Sequence, residues 1–215
     1  MKCCQSQKEI LFMNLFNLDN PVMQFLSKLA DLFILNLLFL ICCIPIVTIG
    51  PASVALYTVT LKAAKNEESY IVKSFFKAFK SNFKIGILTW LIALAAGMIL
   101  WVDFRILPNL SGQFRQILQV LIMMITLLYL ITVLYLFPYI ARFENSVTGS
   151  IKNAFLMAVV NLPYTMLLAA ITVLAILATL YINFSITGFL WLVIGFSGLA
   201  YINSIFFRKI FAKFE

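Results

Sequence analysis

Long apolar runs, each about as long as a bilayer span, recur along this chain and decide what it can fold into. Hydrophobic residues make up 63% of the 215 positions and charged residues 11%, and the mean hydropathy is +1.03. A soluble domain typically has about 45–50% apolar and 25% charged residues. A transmembrane β-barrel would alternate apolar and polar residues instead of forming unbroken runs. The sequence therefore predicts an all-α fold, a polytopic transmembrane helix bundle.

Six membrane spans follow from the positions of these runs. About 20 apolar residues cross a bilayer as a helix, and we place the spans at residues 25–46, 51–64, 85–106, 117–140, 163–184 and 189–207. The second run is short, because about 14 helical residues extend only about 21 Å. We expect it to cross with Lys62 reaching the interface, and a re-entrant segment is the alternative. Residues 25–207 then form a single transmembrane domain.

Basic residues lie almost entirely on one side of this arrangement. With both termini and the two long connectors on the same side, that side holds 14 Lys and Arg residues and the other holds Arg105 and Arg115. The positive-inside rule makes the basic side cytoplasmic. Residues 1–24 and 208–215 are thus a cytoplasmic N-terminal segment and tail. The net charge of +8 is explained without a nucleic-acid partner.

The N-terminal segment has no cleavable signal peptide, because charged residues interrupt it and no clean apolar core is followed by small residues. We expect the first span to act as its own insertion signal. Met13 begins a segment that resembles a natural start, so residues 1–12 are expected to be dispensable. Mass spectrometry of the native N-terminus would test this expectation.

Two polar connectors are predicted to form amphipathic helices in the membrane interface, at residues 69–84 and 147–160. In the first connector, phenylalanines and lysines each recur at helical spacing on different faces, which is typical of a helix lying on a membrane surface. The lysines would attract anionic lipid at the cytoplasmic face. The membrane-surface residues are Lys73, Lys77, Lys80, Lys84, Phe75, Phe76, Phe79 and Phe83.

The stretch CCIPIVTIGPA, residues 42–52, resembles a redox or metal site but is better interpreted as a corner between two helices. Adjacent cysteines rarely close a disulfide and do not have CxxC spacing. Pro45 ends or kinks the first helix and Pro51 suits the first turn of the second. Thr48 or Gly50 would cap that helix. The predicted corner therefore comprises Pro45, Thr48, Gly50 and Pro51.

A weak internal repeat relates SFFKAFKSN, residues 74–82, to SIKNAFLMA, residues 150–158. Three identities recur at an offset of 76, each in a connector that precedes a span. The architecture would then contain parallel helical-hairpin repeats, with the N-terminal stretch as a third, degenerate copy. Chance similarity remains the alternative, because three identities are few.

Polar residues inside the spans carry little chemistry. The chain has no histidine and only eight acidic residues, so the usual triads and His-containing metal sites are excluded. No phosphate-binding or nucleophile motif is present. We predict no catalytic, cofactor-binding or metal-binding residues, no cofactor and no enzymatic activity. The intramembrane Asn and Thr residues are expected to hydrogen-bond between helices: Asn36, Thr89, Thr126, Thr132, Thr172 and Asn203.

Six strings in order, LFNLDNP, FLSKLADLFILNLL, CCIPIVTIGPA, ALYTVTLK, SFFKAFKSNFK and NAFLMAVVNLP, resemble the YesL-like family of bacterial integral membrane proteins. The resemblance extends from Met13 to the C-terminus. It implies a multi-pass protein of the bacterial cytoplasmic membrane, in a Gram-positive organism, associated with carbohydrate-uptake or polysaccharide-utilisation gene clusters. The family supplies no catalytic or binding residues.

Two functions are favoured by the sequence, and direct lipid handling is a third possibility supported only by the amphipathic helices. The first is a non-enzymatic accessory or regulatory protein whose partner is a sugar transporter or membrane sensor. The alternative is a small permease or channel, which would need a polar path that few intramembrane ionisable groups could line. The oligomeric state does not follow from the sequence.

Overall fold

The computed structural model describes residues 21–65, 67, 70–109, 112–181 and 184–214, and these residues are almost entirely helical. Short 3₁₀ turns at Ile46–Thr48 and Leu107–Asn109 and a π-helical segment at Trp191–Gly195 complete the described helical structure. The α-helices, numbered in chain order, are α1 Pro21–Cys42, α2 Ile49–Ala64, α3 Ile71–Ser81, α4 Phe83–Ile106, α5 Gln113–Arg142, α6 Val147–Val160, α7 Leu162–Tyr181, α8 Phe184–Leu190 and α9 Phe196–Phe211.

The all-α transmembrane bundle predicted from the sequence is confirmed. Six helical stretches are long and apolar enough to cross a membrane, at Met23–Cys42, Ile46–Ala64, Phe83–Ile106, Gln113–Arg142, Leu162–Tyr181 and Thr187–Phe211. The second begins at the 3₁₀ turn, five residues before the start expected from Pro51. Residues 1–12, which we expect to be dispensable, lie outside the described residues.

Most of α2, the last third of α5 and one face of α9 form the inside of the bundle around buried aromatic rings. Phe207 of α9 makes edge-to-face contacts with Tyr57 of α2 and Tyr135 of α5, at centroid distances of 6.2 and 5.0 Å. Phe207 and Tyr135 are both fully buried. These rings fill the space between the three helices. We call the end at which α2, α5 and α9 finish the basic end of the bundle.

The predicted corner separates α1 from α2. The helix α1 ends at Cys42, Pro45 precedes the 3₁₀ turn, and Thr48 occupies the N-cap position of α2. Thr48 does not cap α2 with its side chain. Its hydroxyl instead donates to the Cys42 and Pro45 carbonyls, at 2.6 and 2.7 Å, so it closes the end of α1.

Gly50 and Pro51 have a role that the corner alone does not explain. A Cβ added at Gly86 of α4 would lie 2.7 Å from the Pro51 Cα, and one added at Gly50 would lie 2.6 Å from the Trp90 Cβ and also meet the Gly86 carbonyl. The two glycines therefore allow α2 and α4 to cross with their backbones almost touching.

The structure supports the internal repeat. Helices α3 and α6 begin at Ile71 and Val147, which are separated by the same offset of 76. Each is followed by an asparagine, Asn82 or Asn161, whose side-chain amide donates to the carbonyl four residues earlier. The next long helix starts immediately after each asparagine. The units α2–α3–α4 and α5–α6–α7 run in the same direction, because α2 and α5 both finish at the basic end.

Asn36 and Asn203 contact other helices as expected. The Asn36 amide of α1 donates to the Trp191 and Leu192 carbonyls at 3.0 and 2.7 Å, and its oxygen accepts from the Ser197 amide at 3.1 Å. The Asn203 side chain of α9 lies beside the Tyr57 hydroxyl of α2.

The prediction was wrong for four threonines. Thr89, Thr126, Thr132 and Thr172 each donate to the carbonyl four residues earlier in their own helix. A threonine hydroxyl on a helix reaches that carbonyl without any partner helix. These hydroxyls are therefore satisfied within their own helices.

Candidate functional site

The helix α3 is held tightly against the bundle by one of its faces. Phe75 is fully buried and Ala78 nearly so, and both pack with Leu35 and Phe39 of α1 and with α2 residues that include Leu56. Phe75 also stacks on Phe79 at a centroid distance of 6.3 Å. Since a packed helix has a fixed rotation about its axis, the direction of its other faces is fixed as well.

The lysines predicted to lie at the membrane surface form one of those other faces. Lys73, Lys77 and Lys80 are all exposed. On a helix with 100° per residue they lie about 100° from a second exposed face that contains Val72 and Phe76. The helix therefore presents a buried face, an exposed apolar face and a lysine face, which suits a position where bundle, lipid and water meet.

Two of the predicted surface residues belong to the next helix. Asn82 ends α3 by bonding its side chain back to the Ala78 carbonyl at 3.1 Å. Phe83 and Lys84 therefore begin α4 and are both exposed. The predicted interfacial segment 69–84 thus contains a break that the apolar periodicity did not reveal.

The second connector helix, α6, is packed differently from α3. Its fully buried residues, Ser150, Ala154 and Ala158, are small, which lets α6 lie close to α5. Two polar contacts fix its start, because Asn145 and Asn153 both donate to the Tyr139 hydroxyl at 2.9 Å. One exposed lysine, Lys152, lies on this helix. The lysine face of α3 has no counterpart of equal charge on α6.

Basic side chains from the three inner helices converge on a pocket at the basic end. The pocket has a volume of about 250 Å³ and an apolar floor that includes Leu61 and Phe211. Its charged lining residues are Lys62, Lys65, Glu67, Arg142 and Arg208. The Arg208 guanidinium donates to the Ala64 carbonyl at 2.7 Å, which joins α9 to the last turn of α2.

The pocket's charge has a structural explanation. Three helix C-termini meet there, and the last carbonyl oxygens of each helix carry a partial negative charge. Lysine and arginine side chains near a C-terminus compensate that charge. Counting the Lys and Arg residues in the sequence placed these cations on one side of the membrane. The sequence did not indicate that they would surround one pocket.

The charged lining of this pocket offers electrostatic attraction to an anionic group. Within the described ranges, no three His, Cys, Asp or Glu residues are grouped closely enough to hold a metal ion. Cys42 and Cys43 are free, half-buried thiols at the corner. They lie away from the basic side chains, beside the Leu35 and Phe39 cluster.

Comparison with known proteins agrees with the resemblance seen in the sequence. A family model described as "Protein of unknown function, DUF624" matches residues 32–104. The chain is 26% identical to "Uncharacterized protein YesL" of Bacillus subtilis (strain 168) over 70% of this chain and 71% of that protein. It is 25% identical to "Uncharacterized protein YteU" of the same organism over 70% and 68%. No solved structure matches the chain. The similarity to the YesL-like family is thereby confirmed.

Proposed function

We propose that this YesL-like chain is a non-enzymatic accessory or regulatory protein of the bacterial cytoplasmic membrane, linked to carbohydrate uptake or polysaccharide utilisation. Both termini and the basic end of the bundle face the cytoplasm. The protein presents a fixed basic surface there to anionic lipid and to a partner such as a sugar transporter or membrane sensor. The carbohydrate link rests on the family resemblance, and the direction of insertion rests on the distribution of Lys and Arg.

The observation that carries the proposal is the lysine face of α3. Lys73, Lys77 and Lys80 project from a helix that Phe75 and Ala78 lock to the bundle. Each lysine near an anionic surface contributes about 1 kcal/mol of attraction. A charged face held rigidly loses little conformational freedom on binding, which favours it as a docking surface.

The permease alternative receives no comparable support. The axis between α2, α5 and α9 is filled by Tyr57, Tyr135 and Phe207. A small hydrophilic solute would have to displace these packed rings to pass between the inner helices. An enzymatic role would need a reactive group in the basic pocket, where the cations instead neutralise helix ends.

Crosslinking in living cells tests the proposal. A photo-crosslinking amino acid replaces Lys77 on α3, and a matched control replaces Met98, which is exposed on the apolar surface of α4. During growth on a plant polysaccharide, we expect position 77 to capture a transporter or sensor subunit and position 98 to capture none. Repeated recovery of the chain alone from position 77, on polysaccharide and on glucose, would contradict the accessory role.

A further inference from the structure

We propose that the turn between α1 and α2 lies inside the hydrocarbon layer of the membrane, where its exposed side chains contact lipid acyl chains. The first hairpin would then enter and leave the bilayer from the basic end without reaching the opposite water phase. This inference uses the membrane orientation given under the proposed function. It concerns the corner residues 43–48, whose surroundings neither the charge distribution nor the comparisons specify.

The first support is the composition of the corner and of the helices beside it. Residues 32–61 contain no charged side chain. At the corner itself, Ile44 and Ile46 are 78% and 67% exposed, and Val47 is 45% exposed. Turns that face water are rich in Gly, Asn, Asp and Ser. A turn whose most exposed side chains are aliphatic is instead suited to an apolar solvent.

The second support is the hydrogen bonding of the corner backbone. Unpaired backbone groups are costly in hydrocarbon, so a turn at that depth must satisfy them within the protein. The Cys42 and Pro45 carbonyls accept the Thr48 hydroxyl. The Ile46 carbonyl accepts the Trp90 indole N–H of α4 at 2.8 Å. The Thr48 hydroxyl thus hydrogen-bonds carbonyl groups of the corner itself. Pro45 has no amide hydrogen that would need a partner.

The third support is the length of α2 compared with that of α5. Lys62 of α2 and Arg142 of α5 line the same pocket, so they mark a common level at the basic end. From Lys62 back to Ile46 the chain rises about 25 Å, whereas from Arg142 back to Gln113 it rises about 44 Å. The hydrocarbon core is about 30 Å thick. Along its own axis, α2 with the preceding turn is therefore shorter than the hydrocarbon core, whereas α5 is longer.

The fourth support is the part of α4 that the corner contacts. The bond to Trp90 and the crossing of Gly50 with Gly86 both fall in the first third of α4. Along the axis of α4, Trp90 is about 10 Å from Phe83 and about 24 Å from Ile106. If the corner reached the opposite interface, it would contact the last turns of α4.

Single cysteines test the position of the corner in the full-length protein. After the four native cysteines are replaced by serine or alanine, one cysteine is introduced at Ile44 or Val47 in the corner. Gln113→Cys at the start of α5 and Lys77→Cys on α3 are the controls for the two water phases. Intact and permeabilised cells are treated with a membrane-impermeant maleimide, and purified protein in lipid bilayers carries a nitroxide at the same positions.

We expect Gln113→Cys to react in intact cells and Lys77→Cys only after permeabilisation. Both corner cysteines should react about tenfold more slowly than these controls in either condition, because apolar surroundings suppress the reactive thiolate. Nitroxides at the corner should be accessible to oxygen, which dissolves in lipid, and protected from a water-soluble nickel complex.

Two results would overturn the inference. Corner cysteines that react in intact cells as fast as Gln113→Cys would show that the hairpin crosses to the outer water. Corner nitroxides protected from both oxygen and nickel would show that protein, such as a second copy of the chain, covers the turn. Reversal of the two control positions would instead contradict the orientation in the proposed function, and the depth of the corner would still be measured by the nitroxides.

Discussion

Gly86 shows how a single residue sets the distance between two helices. A Cβ at this position would lie 2.7 Å from both the Cα and the nitrogen of Pro51. Gly86→Ala should therefore push α2 and α4 apart at a cost of about 1–3 kcal/mol. We expect the apparent melting temperature of the purified protein to fall by roughly 3–10 °C, measured by size-exclusion chromatography after heating.

Gly198→Ala is the matched control for this substitution. Gly198 also lies within a long helix, but a Cβ there would meet no atom within 4 Å. Alanine has the better helix propensity, so the control should keep or slightly raise the melting temperature. Equal losses in the two variants would show that the crossing of α2 and α4 is looser than the structure indicates.

Phe75 and Phe76 are neighbours in the chain with opposite surroundings. Phe75 is fully buried and Phe76 is 47% exposed. Phe75→Ala should destabilise the protein by about 3–5 kcal/mol through lost packing, and Phe76→Ala by less than about 1 kcal/mol. Thermal unfolding of the two variants in the same detergent measures the difference. Similar values for both would contradict the packing of α3 against α1 and α2.

The sequence grouped these two phenylalanines together, which shows the limit of prediction for single residues. Helical spacing identified an apolar side of the 69–84 segment, and the structure has the helix α3 there. Spacing alone does not separate a side chain packed on protein from one exposed to lipid, because both are apolar. Residue type alone was also misleading for Thr89, Thr126, Thr132 and Thr172, whose hydroxyls bond within their own helices.

Among the helices, α1 is joined to the π-helical segment by the side chain of Asn36. Asn36 makes three hydrogen bonds to this region, to the Trp191 and Leu192 carbonyls and from the Ser197 amide. Asn36→Leu keeps a similar volume and removes all three bonds. We expect a loss of about 1–3 kcal/mol, since interhelical hydrogen bonds in membranes are individually modest. Thermal unfolding in detergent measures this loss.

Thr126→Val serves as the control for Asn36→Leu. The Thr126 hydroxyl bonds only the Ile122 carbonyl of its own helix among the hydrogen bonds seen in the described part of α5. Its replacement should change the melting temperature little. If Asn36→Leu left the protein as stable as Thr126→Val does, Asn36 would not be what holds α1 in place.

The lysine face of α3 predicts how the whole element binds lipid. We expect the triple variant Lys73→Gln, Lys77→Gln, Lys80→Gln to retain less phosphatidylglycerol after purification, because each lysine contributes about 1 kcal/mol near an anionic surface. Mass spectrometry of the bound lipid measures the loss. The matching triple arginine variant keeps the charge and should retain lipid as the unmodified protein does. Equal lipid retention in the glutamine and arginine variants would contradict the lipid role.

Helix boundaries were predicted well where a proline interrupts the apolar pattern. They were predicted poorly where a hydrogen bond from a side chain ends the helix. Pro45 and Pro51 are enough to locate the corner from the sequence. The break at Asn82 depends on a bond from its side chain to the Ala78 carbonyl. An asparagine in a polar connector gives no local sign of that bond, so α3 and the first turn of α4 were predicted as one interfacial segment followed by a later span.

For the whole molecule, the proposed orientation predicts the behaviour of reporter fusions. Green fluorescent protein fused after Phe214 should fluoresce, because the C-terminus is proposed to be cytoplasmic. Alkaline phosphatase fused after Gly112, between α4 and α5, should be active, because that loop is proposed to lie outside. Inactive phosphatase at Gly112 together with active phosphatase at the C-terminus would reverse the orientation.

The number of helices long and apolar enough to span a membrane could be predicted from the sequence, but their arrangement could not. Apolar residues lie on every side of most of these helices, so hydrophobic patterning does not show which helices are inside. The selection of α2, α5 and α9 depends on particular contacts, such as Thr60 with Ser204 at 2.8 Å. These contacts link residues far apart in the chain, and one sequence gives no information on such pairs.

The ring cluster of Tyr57, Tyr135 and Phe207 has an electrical consequence. An ion moving between the inner helices would lose its water shell against aromatic carbon, at a cost far above thermal energy. We therefore expect no ion to pass between these three helices. Bacteria that overproduce the chain would keep their proton gradient, and a growing cell could carry many copies without using energy to restore it.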